Sequence, residues 1–218
     1  MLASHPKILK DSAKNFELQN GKGSAYAYSL SEMLDPVTKT PKMDATIKYL
    51  KEHLDIDPSY KAVIFSTFVG SANELSARLT ADGYGNELYT GRMNAKEKDA
   101  AKTKFQESAD CRVLVSSDAG GYGVDLPNGN LLINYDQPWS SGLLVQRNGR
   151  IVRASSEWQM VTIQDVLVKD SIEQRQWDML RQKSSVAGAI LDGEGINDKG
   201  GVELTVGSLI TFLGSKLV

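Results

Sequence analysis

Five short apolar runs, separated by polar stretches with helical spacing, restrict this chain most. "KAVIFST" (61–67), "GNELYTG" (85–91), "CRVLVSS" (111–117), "NLLINYD" (130–136) and "QMVTIQDVLVKD" (159–170) read as strands. Most are apolar along nearly their whole length, the pattern of strands buried on both faces. Helices are predicted around and between them. Met43, Ile47, Leu50 and Leu54 give one over 41–54; Leu75 and Leu79, ending near Gly83, give a second over 70–84. Asn94, with Glu97 three residues on, opens a third over 94–108. Others are expected over 140–149 and 171–191. The alternation predicts an α/β fold of three layers, a mainly parallel sheet covered by helices on both faces. Ligands of such sheets collect beyond the C-terminal ends of the strands. The corresponding loops are 66–71, 89–94, 116–129 and 135–141.

Composition narrows the chemistry. The 218 residues carry 25 Lys and Arg against 27 Asp and Glu, a net charge of −2. A surface that binds phosphates must therefore be a local patch. The single cysteine, Cys111, excludes an internal disulfide, and with only His5 and His53 a metal site or a histidine triad is not expected. No run approaches the ~20 apolar residues of a membrane span, and the N-terminus lacks the apolar core of a signal peptide. The expected location is cytoplasmic, or nuclear in a eukaryote.

The local patch is "QRNGRIVR" (146–153), in which Arg147, Arg150 and Arg153 recur every third residue. On a helix or tight turn they share a face, and their forked guanidinium groups suit phosphate. Upstream, "SSDAGGYGVDL" (116–126) places Gly120, Gly121 and Gly123 directly after a strand, where backbone N–H groups can approach an anion. Ser116 and Ser117 add hydroxyl donors. Asp125 can accept from a sugar hydroxyl or orient a nearby arginine.

Taken together, these stretches resemble superfamily-two helicases. "QRNGRIVR" is similar to their sixth motif, "SSDAGGYGVDL" to the fifth and "KAVIFSTF" to the fourth. "ASHPKIL" (3–9), "KMDATIKYL" (42–50), "INYDQPW" (133–139) and "DSIEQRQWDMLRQKSSVAGAILDG" (170–193) resemble the Swi/Snf-type branch. Ala154, Ser155 and Ser156 stand where that branch usually carries Ile-Gly-Gln. The resemblance implies a RecA-like second lobe of a motor whose two lobes sandwich ATP. By position it implies that Arg150 and Arg153 are nucleotide-facing, with Arg153 the finger for the γ-phosphate. Gln146 would orient the cluster, and Gly123 and Asp125 would lie near the sugar. Ser66, Thr67, Gly91, Arg92, Ser116 and Ser117 would hold the backbone phosphates of one nucleic-acid strand. Arg147 is expected to face solvent or a carboxylate of its own, outside the chemistry.

The other half of such a site is not visible. "NGKGSAY" (20–26) lacks the spacing and preceding strand of a phosphate loop. The residues that grip ATP and Mg²⁺ are therefore expected on an N-terminal RecA-like lobe, with this chain a piece of a larger DNA-dependent ATPase and inactive alone. The rival readings are a non-catalytic scaffold for nucleic acid or protein, and the lobe of an RNA helicase. The organisation expected is a flank over 1–40, the lobe over 41–191, and a Gly-rich linker with a short helix over 192–218. Trp139 and Trp158 read as packing residues, Cys111 as a small buried hydrophobe, and the lysines of 94–106 as a solvated face.

Overall fold

A computed structural model describes residues 40–121 and 123–191, with side chains as far as Arg181. The flank predicted before residue 40 and the linker and helix predicted over 192–218 lie outside the described residues. In chain order the elements are α1 (Pro41–Leu54), β1 (Ala62–Ser66), α2 (Val69–Ala81), β2 (Gly85–Tyr89), α3 (Ala95–Glu107), β3 (Cys111–Ser117), β4 (Leu131–Asn134), α4 (Ser141–Asn148), β5 (Thr162–Asp165) and α5 (Ile172–Leu191).

The strands form one sheet in the order β2-β3-β1-β4-β5, with every neighbouring pair parallel. All five residues of β1 are buried. Their alternation feeds two cores. Ala62 and Ile64, with Val113, Val115, Leu131 and Ile133, meet Met43, Ile47, Leu50 and Leu54 of α1 and Ala72, Leu75 and Leu79 of α2. Val63 and Phe65, with Leu114 and Leu132, meet Ala101 and Phe105 of α3 together with Val124, Leu126 and Ile151. Both faces are thus covered, as the continuous apolar runs require. Each large aliphatic side chain so buried is worth roughly 1.5–3 kcal/mol. The run 159–170 forms a shorter strand than its length suggests. β5 lies at the sheet edge, pairs residue for residue with the four of β4, and leaves Thr162 and Ile163 exposed.

Local signals place the helices. The Thr40 hydroxyl accepts from the Met43 N–H at 3.2 Å, with Pro41 in the first turn where its missing N–H costs nothing. Asn94 and Glu97 close a capping box: the Asn94 side chain accepts from the Glu97 N–H at 3.0 Å, and the Glu97 carboxylate from the Asn94 N–H at 2.8 Å. At the opposite end of the sheet from its ligand loops, two cations satisfy helix C-terminal carbonyls. Lys61 donates to the carbonyls of Phe105, Gln106 and Ser108 beyond and within the end of α3. Arg112 donates to those of Leu54, Asp57 and Tyr60 at and beyond the end of α1.

His53, in the last turn of α1, stacks on Tyr60 at 5.0 Å, and Tyr60 in turn meets the edge of Trp158. Burial, reinforced by Arg112, holds the His53 pKa below its usual 6.5 against the opposing pull of Asn130. The unfolded chain therefore binds a proton here more readily than the folded one. The folded state should keep its full stability from this residue above about pH 6.5 and lose it as pH falls below that value. The measurement is the melting temperature from about pH 7.5 to 5.5: His53→Phe should flatten the slope, and an unchanged slope would remove His53 as its source.

Among the described residues no helix is long and apolar enough to cross a membrane.

Candidate functional site

In the strand order, β1 has β3 on one side and β4 on the other, so the loops after these three strands converge at the C-terminal edge of the sheet. The loop after β1 brings Thr67, that after β3 brings Asp118 to Asp125, and that after β4 brings Asp136. Helix α4 ends against them with Gln146, Arg147 and Arg150. Phe65, Asp118, Gly121, Leu143, Gln146, Arg147 and Arg150 line a cleft with about 190 Å³ of open space, its mouth included. Small-molecule pockets usually offer ~300–1,000 Å³. This cleft is smaller than that.

Arg150 is buried, and its Nη1 donates to the Val124 carbonyl at 3.4 Å. Arg153 is more open, its side chain 43 % exposed. Its Nη2 pairs with Asp125 at 3.0 Å and its Nε donates to the Gly149 carbonyl at 2.7 Å. Asp125 thus orients an arginine, one of the two roles its position allows. Gln146 is exposed at the cleft, and Gly123 is exposed with φ 74°, a conformation few residues but glycine adopt. The structure therefore gathers Gln146, Gly123, Asp125, Arg150 and Arg153 around one loop and one helix end.

The residues expected at a nucleic-acid backbone divide into two groups. Thr67 is half-buried, while Gly91 and Arg92 are exposed. Ser66, Ser116 and Ser117 are buried, with hydroxyls that hold the loops to one another. Ser66 donates to Asp136 Oδ2 at 2.7 Å and Ser116 to the Tyr89 carbonyl at 3.1 Å. Ser117 Oγ accepts from the N–H groups of Gly91 at 3.3 Å and Gly120 at 3.2 Å. The turn is tight enough that a Cβ on Gly120 would lie 2.1 Å from the Tyr89 carbonyl oxygen. Trp139, read as a packing residue, is 62 % exposed, whereas Trp158 does pack and donates its indole N–H to the Asn128 carbonyl.

Arg147 is the most deeply buried of the three arginines. Its side chain is 1 % exposed and forms a two-pronged ion pair with Asp118, Nε to Oδ1 at 2.6 Å and Nη2 to Oδ2 at 2.9 Å. Of the two placements open to it, the carboxylate is the one found. Asp118 and Asp136 were not legible as partners beforehand. The available signal was their position, a carboxylate directly after a buried strand in "SSD" and close after one in "NYD".

Comparison with known proteins identifies this arrangement. The family described as the helicase conserved C-terminal domain matches residues 42–155, more than half of the chain. The chain belongs to this family. It is 27% identical over 205 residues to the human DNA repair and recombination protein RAD54B, covering 88% of this chain and 22% of that protein. It is 29% identical over 138 residues to the pre-mRNA-splicing ATP-dependent RNA helicase PRP28 of Debaryomyces hansenii, covering 63% of this chain and 23% of that protein. An uncharacterized ATP-dependent helicase of Bacillus subtilis, YqhH, is 29% identical over 154 residues, 71% of this chain and 26% of its own. The chain thus spans about a quarter of the length of these relatives. In fold, this helicase lobe superposes on the C-terminal part of the Fun30 ATPase domain with a TM-score of 0.60, at 22% identity, covering 81% of this chain and 65% of that one. The architecture is RecA-like.

Proposed function

We propose that this lobe is the second half of an ATP-dependent, nucleic-acid-stimulated motor, a helicase or translocase acting on duplex DNA. The observation that carries the reading is the pair Arg150 and Arg153, set on one turn beside a glycine-rich loop, with Arg150 lining a small cleft. Such arginines act on charge that builds on a transferred phosphoryl group. Arg153 would reach the γ-phosphate and Arg150 would support it from the cleft wall. Gln146 would orient the cluster, and Gly123 and Asp125 would lie by the sugar. An N-terminal RecA-like lobe would grip the remainder of ATP. Mg²⁺, which the family implies, finds no cluster of three or more His, Cys, Asp or Glu among the described residues. Its ligands would lie on the first lobe.

Thr67, Gly91 and Arg92 would meet the backbone phosphates of one strand, on loops that Ser66, Ser116 and Ser117 hold in place. Contacts to phosphate carry no sequence information, so binding would be sequence-independent and would weaken with salt. DNA is favoured because the likeness to RAD54B, a DNA repair and recombination protein, extends over 88% of the chain, well beyond residues 42–155. The likeness to PRP28 supports RNA as the second reading.

The test is ATP hydrolysis by the full protein with duplex DNA, single-stranded DNA or RNA. Duplex DNA should stimulate most, and this lobe alone should hydrolyse essentially no ATP. Stimulation by RNA only would replace DNA with RNA in the reading. Absence of hydrolysis under every condition would leave the non-catalytic scaffold.

A further inference from the structure

Arg147 uses its entire hydrogen-bonding capacity inside the protein. A guanidinium has five N–H donors, and five acceptor contacts meet them. Two go to the Asp118 carboxylate, as described above. Nη2 also donates to Thr67 Oγ1 at 3.1 Å, while Nη1 donates to the Asp136 carbonyl at 2.7 Å and to Asn134 Oδ1 at 3.4 Å. The acceptors come from the ends or loops of β1, β3 and β4. The network closes on itself, because the Asp136 carboxylate accepts from the Thr67 N–H at 2.5 Å and from the Ser66 hydroxyl. Thr67 is therefore gripped twice, through its backbone by Asp136 and through its side chain by Arg147.

The other end of Arg147 is built into the turn that carries the nucleotide-facing arginines. The Arg150 N–H donates to the Arg147 carbonyl at 3.0 Å. Asp118, which takes two of the five donors, follows Ser117, whose hydroxyl fixes the N–H groups of Gly91 and Gly120. One rigid, planar group thus joins Thr67 on the proposed nucleic-acid side, and the loops after β3 and β4, to the turn on the proposed nucleotide side. A displacement of Thr67 or of the 118–121 turn cannot be absorbed locally. The fork has no spare donor and the Arg147 side chain is itself buried, so the displacement passes to the last turn of α4.

We propose that Arg147 is a positioning residue that couples occupancy of the nucleic-acid face to ATP turnover, its donors all spent on the protein's own acceptors. The inference rests on the motor reading above. Lysine in its place would keep the charge but not the fork: a single ammonium cannot meet two oxygens of Asp118, the Asp136 carbonyl and Thr67 together. In the full protein, Arg147→Lys should therefore lower ATP turnover without nucleic acid far less than it lowers turnover with nucleic acid. Stimulation by nucleic acid should fall about tenfold, within the range of typical couplings between sites. Asp118→Asn, which keeps the shape but weakens the pair, should reduce the same ratio, and the double variant should be no worse than the more severe single one. Thermal unfolding of each variant shows that it is folded, and if Arg147→Lys does not fold, Asp118→Asn carries the test. Equal loss of basal and stimulated turnover would make Arg147 a purely structural residue and overturn the proposal. So would an unchanged ratio in a wild type that is stimulated. A wild type that no nucleic acid stimulates would overturn the motor reading itself, and the coupling with it.

Discussion

Arg153→Ala in the full protein is expected to lower ATP turnover by about a thousandfold, the lower end of what an arginine finger contributes, while leaving the fold intact. The side chain is 43 % exposed and is held by one carboxylate, Asp125, itself 50 % exposed. Ion pairs this open contribute about 0.2–1 kcal/mol. Losing the pair costs little stability, and a triphosphate carrying several charges competes for the guanidinium easily. The measurement is steady-state hydrolysis with saturating nucleic acid, alongside a urea unfolding curve. Arg153→Lys should recover little, because a point charge does not reproduce the fork. Turnover within tenfold of wild type would remove Arg153 as the finger. Should Arg150→Ala prove the severe variant instead, the role passes to the arginine already in the cleft.

The elements were legible in the sequence for identifiable reasons. Strands β1, β3 and β4 sit inside the sheet and are buried on both faces, so their apolar runs are uninterrupted. Helix α1 shows every one of its spaced apolar residues, Met43, Ile47, Leu50 and Leu54, in the core. The run 159–170 misled on length because an edge strand extends only as far as its neighbour. β4 offers four residues, and Val166 beyond them turns to pack on the core. The gathering of Gln146, Arg150 and Arg153 beside Gly123 and Asp125 followed from motif spacing. Two things did not. Strands buried on both faces cannot disclose which hydroxyls turn inward, so Ser66, Ser116 and Ser117 read as surface donors. The spacing leaves Arg147 either solvent or a carboxylate of its own without naming the partner, and it is buried because Asp118 and Asp136, 29 and 11 residues away, meet it in space.

A second buried ion pair gives the largest expected effect on stability. Lys42 lies in the first turn of α1, where the helix dipole disfavours a cation, and its side chain is 2 % exposed. Burial pulls its pKa down from the usual lysine value, and Glu173 opposes that pull. Glu173, in the first turn of α5, answers Lys42 at 2.5 Å and also accepts from the Val168 N–H, while the Tyr135 ring lies 4.8 Å from the ammonium. Nearby, Gln176 donates to the carbonyls of Gln137 and Pro138, so α5 is tied both to α1 and to the loop after β4. Glu173→Gln leaves the ammonium buried without its counter-charge and should destabilise the protein by about 3–5 kcal/mol, read as a lower urea midpoint. Replacing both partners with apolar residues of similar size, Lys42→Met with Glu173→Leu, should restore stability to near wild type or above it, because neither desolvation penalty then remains. A loss below about 1 kcal/mol for the single variant, the scale of an exposed pair, would mean that water reaches Lys42 and that the pair does little to hold α5 to α1.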